Sequence, residues 1–274
     1  MSRIQSSIEQ HYTREGLFET IVHRLKEKGI EQITRKDIAG IDEFHVRGAA
    51  VSKELAAEIG FTEHTRVLDV GCGLGGPCRM LAEEFNCKVT GIDLTEEFIR
   101  SAKLLSEAVG LGSLVNFIQA DALQLPFADE SFDIVWTQHV QMNIENKQQY
   151  YAEIDRVLVK GGRFIYYDIF RTNQELLQYP LPWAEDASMS FLMTTNELDT
   201  ILTKKGFTGI QATNQTEQAV VFFTELFANM GKQGPAKVGL DLVMGATTGE
   251  KFGNLLKNIR EKKLELQSGI YSKA

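Results

Sequence analysis

Cysteine is scarce: Cys72, Cys78 and Cys87 are the only three in 274 residues. An odd number crowded into one region argues against a disulfide framework and fits a reducing cytoplasm. The three lack CxxC spacing and have no companion His-x₃₋₅-His pair, so no metal site is expected. Long apolar runs are also missing. None approaches the ~18 residues that cross a bilayer as a helix, so no membrane insertion is expected. The first residues, MSRIQSSIEQHYTREG, are polar and hold no apolar signal core. Basic charge is in deficit, with 29 Lys and Arg against 37 Asp and Glu and a net charge of −8. That balance argues against a non-specific grip on nucleic acid, which needs a basic face. Repeats and low-complexity tracts are absent. A chain that is 43% hydrophobic and 24% charged is left, long enough to bury a sizeable core.

Helices come first. Leu17, Phe18, Ile21 and Leu25 share one helical face, and Gly29 stops that helix. Val51, Leu55 and Ile59 repeat the pattern before Gly60. From Arg66 short β-rich runs alternate with amphipathic stretches: RVLDV, KVTGID, VNFIQAD, FDIVWTQ and RFIYYDIF. Thr95 is placed to cap the helix after the second run, whose first turn carries Glu96 and Glu97. KQQYYAEIDRVLVKGG reads as a helix with a glycine stop. Thr194 and Glu197 form a capping-box pattern. TGIQATNQ and KLELQSGIYS read as a late pair of strands around the helical piece QAVVFFTELFANMG. This alternation predicts an α/β fold with a doubly wound, mostly parallel sheet. Ligands bind such sheets beyond the carboxyl ends of the strands, near the point where the strand order reverses. The informative residues are then those that end strands: Asp69 with the glycines after it, Asp93, Asp121, Gln138 and Asp168.

The glycines lie in VLDVGCGLGGP, at 71, 73, 75 and 76. A glycine loop between strand and helix lets a ligand press against the backbone and meet the helix N-terminus. Gly71, Gly73 and Gly76 match G-x-G-x-x-G, a weak signal alone. Asp93 ends the next strand 22 residues after Gly71, where a carboxylate can accept both hydroxyls of a ribose. A nicotinamide dinucleotide and S-adenosylmethionine both carry such a ribose. Asp69 stands two residues before the first glycine. A negative group there is unhelpful beside a pyrophosphate but favourable beside an amino group and a sulfonium, so the methyl donor is preferred. Asp121, at Ala120-Asp121-Ala122, is placed to accept an adenine amino group.

VLDVGCGLGGP, VTGIDLT, DALQLPFADESFDIVW and RVLVKGGRF together resemble the successive motifs of class I S-adenosylmethionine-dependent methyltransferases over residues 65 to 170. IEQHYTREGLFETI, IDEFHVRG, TQHVQMNIENK and YPLPWAEDASMSFL are similar to a bacterial small-molecule group described as sarcosine/dimethylglycine N-methyltransferase-like. The resemblance implies a Rossmann-like seven-stranded sheet of order 3-2-1-4-5-7-6. It implies an N-terminal helical cap or lid over residues 1–62 and a cofactor-binding domain over 63–274, with substrate-covering insertions near 173–195 and 215–250. It implies S-adenosyl-L-methionine as cofactor, S-adenosyl-L-homocysteine as product and a small-molecule methyl acceptor. On that reading Asp69, Gly71, Gly73, Gly75, Asp93, Leu94, Asp121, Ala122 and Gln138 hold the cofactor, with Arg47 a candidate for the cofactor or substrate carboxylate. Tyr12, Phe44, Asn143, Asp168 and Trp183 are candidates for the substrate pocket. His45 and His139 are candidate proton-handling residues, although no nucleophile–base pair is readable. An amine such as a glycine derivative is one acceptor. O- or C-methylation and a non-catalytic S-adenosylmethionine-binding module stay open.

Overall fold

The structure is a computed structural model that describes residues 3–230 and 238–274. The expected 215–250 insertion therefore lies partly outside the described residues. Four helices lead: α1 (Arg3–Tyr12), α2 (Leu17–Glu27), α3 (Arg35–Asp42) and α4 (Ala49–Ala57). The alternating unit follows as β1 (Arg66–Val70), α5 (Gly76–Phe85), β2 (Lys88–Asp93), α6 (Glu96–Ala108), β3 (Val115–Gln119), β4 (Phe132–Gln138), α7 (Lys147–Val157) and β5 (Leu158–Arg171). The chain ends with α8 (Thr195–Lys204), β6 (Phe207–Asn214), α9 (Thr216–Met230), α10 (Asp241–Met244), α11 (Thr248–Arg260) and β7 (Leu264–Lys273).

The seven strands form one sheet in the order β3-β2-β1-β4-β5-β7-β6. β1 to β5 run parallel, and β7 runs antiparallel to both β5 and β6. The order reverses between β1 and β4, so the switch-point crevice opens above the carboxyl ends of those two strands. Side chains alternate across the sheet. Val67 packs into the layer with Leu55 of α4, Leu81 of α5, Phe223 of α9 and Ile259 of α11. Leu68 and Val70 enter the opposite layer with Ile154 of α7 and Leu198 of α8. Strands covered on both faces read as nearly continuous apolar runs, as β1 and β4 do. A third cluster joins Leu17, Ile21 and Leu25 of α2, Ile38 and Ile41 of α3, and Phe98 and Leu105 of α6. It ties the leading helices to the sheet domain.

The Thr194–Glu197 capping box is present at α8. Two local expectations need correction. β5 starts at Leu158, ahead of RFIYYDIF: Leu158 pairs with Phe132, and the chain bulges through the glycines before Arg163 resumes against Ile134. The N-terminus of α6 is also capped differently. Thr95 makes no side-chain cap there, and its amide instead donates to Asp93 Oδ1 at 2.9 Å. The aspartate reaches that amide because it stands at the strand end, before the backbone turns.

Candidate active site

A cavity of ≈ 760 Å³ opens over the switch point and runs from the ends of β2 and β3 to the faces of α9 and α11. The glycine turn and the acids at the ends of β1 and β2 form its first part. Gly71 and Cys72 donate their amides to the Ile92 carbonyl at 2.8 and 2.9 Å, and Gly73 donates to Asp93 Oδ2 at 3.0 Å. Gly73 has φ +52, and a Cβ built on it meets nothing within 4 Å. The turn thus leaves open space against its own backbone, in a conformation that suits glycine. Gly75, by contrast, is not in the lining. A Cβ there would run into the Phe117 ring, so packing accounts for this glycine.

Asp69, Gly71, Gly73, Asp93, Leu94, Asp121, Ala122 and Gln138 all line the cavity. Asp69 is 2% exposed and accepts from the Cys78 thiol at 3.2 Å. Burial, with the negative charges of Glu43 and Asp93 nearby, pushes its carboxyl up to about 7. Burial also raises Asp93, against the opposing pull of the Thr95 and Gly73 amides. Asp121 accepts from the Leu123 amide at 2.8 Å and from the side-chain amide of Gln5 on α1. Gln138 is fixed by Trp136 Nε1, which donates to its Oε1 at 2.9 Å, and by Ser52 Oγ at 3.2 Å from its Nε2.

His45 and His139 line the same cavity, with ring centroids 6.0 Å apart. Glu43, absent from the sequence-based candidates, is the partner of His45. His45 Nε2 lies 2.7 Å from Glu43 Oε2, and both side chains are 4% exposed. Ser52 donates to the same carboxylate at 2.6 Å. Burial opposes the Glu43 charge, but the bonds from His45 and Ser52 outweigh it and hold the carboxyl below its usual range. The signal was present as the E-x-H spacing of IDEFHVRG. His139 follows β4 in the left-handed region, with φ 54, uncommon for a residue with a Cβ. Burial and the neighbouring His45 lower its pKa well below the usual imidazole value. Its Nε2 has no hydrogen-bond partner among the described residues.

Tyr12, Phe44, Asn143 and Trp183 also reach the cavity. Tyr12 donates to Asn143 Oδ1 at 3.0 Å, and Asn143 Nδ2 donates to the Trp183 carbonyl at 3.0 Å. These bonds link α1 to the loop before α8. Two candidates stand elsewhere. The Arg47 guanidinium binds Glu54 and Gln215, outside the lining. Asp168 is also outside it and accepts from the Val140 amide at 2.9 Å. Asp168 shapes the turn that carries His139, and burial pushes its carboxyl up to about 7. The far part of the cavity is walled by Trp183, Phe222, Phe223, Leu226, Phe252 and Leu255. Of these only Trp183 was foreseen. Phe252, Leu255, Leu256 and Ile259 do carry a helical period, which could have revealed α11.

Residues 68–166 match the family model described as a methyltransferase domain. Over that stretch the chain is similar to methyltransferase domains. Sterol 24-C-methyltransferase ERG6B of Gibberella zeae is 37% identical over 119 residues, which is 43% of this chain and 31% of that protein. The chain thus spans about a third of the length of that curated relative. Among solved structures, a geranyl diphosphate methyltransferase in complex with geranyl diphosphate and sinefungin superposes with TM-score 0.76 at 16% identity, over 100% of both chains. A putative sarcosine dimethylglycine methyltransferase from Galdieria sulphuraria gives TM-score 0.67 at 15% identity, over 95% of this chain and 99% of that one. The methyltransferase domain and these superpositions establish a Rossmann-like methyltransferase fold with leading helices. No helix among the described residues is long and apolar enough to cross a membrane.

Proposed function

We propose that the protein transfers a methyl group from S-adenosylmethionine to a small molecule. One observation carries this reading: the acids Glu43, Asp69 and Asp93 converge on a cavity beside an open glycine turn. Carboxylates gathered in a buried site favour a cationic occupant, which relieves their mutual repulsion. When bound, S-adenosylmethionine supplies a methyl carbon already activated on a cationic sulfonium, next to an ammonium. Asp93 fits the ribose hydroxyls, Asp121 the adenine amino group, and Asp69 with the turn the methionine end. Gln138, held by Trp136 and Ser52, presents a fixed amide at the end of β4.

The leading helices form the lid of this site, residues 1–62, over a cofactor domain of 63–274. They exclude water and help hold the acceptor in line, which supplies much of the rate in a group transfer. His139 stands as the candidate proton acceptor because its Nε2 is unused among the described residues, although burial lowers its pKa and so weakens it as a base. His45 is oriented by Glu43 as its neighbour. An amine acceptor is supported by the likeness to the sarcosine dimethylglycine methyltransferase structure, and carbon acceptors by the sterol relative. Three buried free cysteines support a reducing, cytoplasmic setting.

Calorimetry with S-adenosylmethionine and S-adenosylhomocysteine tests the reading directly. Charge-assisted hydrogen bonds are worth about 1.5–3 kcal/mol each, so Asp93→Ala should weaken both ligands at least ~10-fold. Unchanged affinity in a folded variant removes Asp93 from the site.

A further inference from the structure

We infer that the methyl acceptor is an apolar-bodied molecule without a carboxylate or phosphate, seated in the aromatic far part of the cavity. The inference rests on the methyltransferase reading and sharpens it. The first part of the cavity lies over β1, β2 and β3. The far part lies toward β5 and β7, under α9 and α11, and His139 follows β4 between the two. Trp183, Phe222, Phe223, Leu226, Phe252 and Leu255 wall this second space. Aromatic rings of this kind hold an apolar body, and their faces also tolerate a cation.

Charge decides what that body can carry. Among the described residues, no lysine or arginine lines the cavity. Described basic side chains near it are committed to other partners. Arg79 is fully buried with Asp42 and Ser106. Lys251 lies 2.7 Å from Glu185. Arg47 is held by Glu54 and Gln215. Lys147 donates to the carbonyls of Gln141, Ile144 and Phe191. Carboxylates dominate the charged lining, among them Asp69, Asp93, Asp121 and Glu145, while Glu43 is paired with His45 and Asp241 with Arg24. A carboxylate or phosphate entering here loses its water, meets no lysine or arginine in the lining among the described residues, and faces like charge. A neutral molecule meets no such cost, and an ammonium is attracted. A free glycine derivative, or a diphosphate, is therefore the wrong acceptor, whereas a hydrophobic amine, phenol or alkene is compatible.

The test uses the full chain saturated with S-adenosylhomocysteine and titrates matched pairs by calorimetry: phenethylamine against phenylalanine, geraniol against geranyl diphosphate, and sarcosine alone. The amine and the alcohol should bind at least about 100-fold more tightly than their anionic partners, the scale of an unpaired buried charge, and sarcosine should not register. Phe252→Ala, at a partly buried ring, should weaken the apolar ligands about 10-fold and leave S-adenosylhomocysteine affinity unchanged. Preference for an anionic partner, absence of binding by either apolar compound, or indifference to Phe252→Ala overturns the inference. Failure of S-adenosylhomocysteine itself to bind strikes the methyltransferase reading instead, so the two failures are separable.

Discussion

Asp69 is buried at the end of β1 with its carboxyl pushed up to about 7. Between the unfolded value near ~4 and that folded value, the native state binds the extra proton. Ionising Asp69 therefore costs stability, and the cost is absent below ~4 and complete above about 7. A cationic ligand reverses the balance by favouring the ionised form. On the proposed reading, with the ammonium of S-adenosylhomocysteine at this end, its affinity should rise with pH through about 7 and be accompanied by proton release. Calorimetry in buffers of different ionisation enthalpy reads that proton, and Asp69→Asn should abolish it. Persistence of the full pH dependence in the variant assigns the proton elsewhere. For the histidines, His139→Gln and His45→Gln should each lower turnover by no more than ~10- to 100-fold, the scale of lost positioning or weak base help. A pH–rate profile of each variant with a confirmed acceptor checks this. Complete loss with both ligands still bound makes that histidine an essential proton carrier. Asp93 and Asp121 could be found from sequence because a polar residue ending an apolar strand has few other uses. Glu43 shows in sequence only as the E-x-H spacing, and its further contact with Ser52 depends on the chain between α3 and α4. Arg47 is marked by its place in IDEFHVRG and Asp168 by ending a strand, and the fold alone brings Gln215 to the one and the Val140 amide to the other.

At the scale of elements, the leading helices approach the glycine turn very closely. A Cβ on Gly76 would stand 1.8 Å from the Asp42 carbonyl oxygen, which is backbone and cannot swing aside. Gly76→Ala should therefore displace α3, costing about 1–3 kcal/mol as overpacking does, and weaken cofactor binding through the shifted roof. Urea unfolding with a parallel binding titration measures both. A wild-type midpoint would show that α3 yields freely. The Gln5 amide already occupies the Asp121 carboxylate, so an adenine amino group must share or displace it. Hydrogen exchange between Gln10 and Arg47 should slow when S-adenosylhomocysteine is added. Protection confined to the glycine turn and Asp93 removes the lid. The alternating strands and helices were readable because their periods differ, 2 against 3.6. α1 and α3 escaped notice because they are short and polar, and they are held by packing on other elements.

Across the whole molecule, the seven-strand order agrees with the expected mostly parallel architecture, and the antiparallel setting of β7 is added by the structure. What the local pattern could not supply was the second half of the cavity. Its walls come from α9 and α11, which are far apart in the chain from Trp183 and from the glycine turn, and only folding joins them. The bonds Tyr12–Asn143 and Asn143–Trp183 then have a kinetic meaning. They connect α1 to the loop beside the aromatic wall, so binding of the two proposed ligands should be coupled. By reciprocity, whatever tightening one ligand confers on the other is returned in equal measure. Tyr12→Phe, which keeps the ring and removes the hydroxyl donor, should shrink that cooperativity toward additivity and make the order of ligand addition more random. Titrating each ligand in the presence and absence of the other gives the coupling, and an unaltered value in the variant means the communication runs by another route.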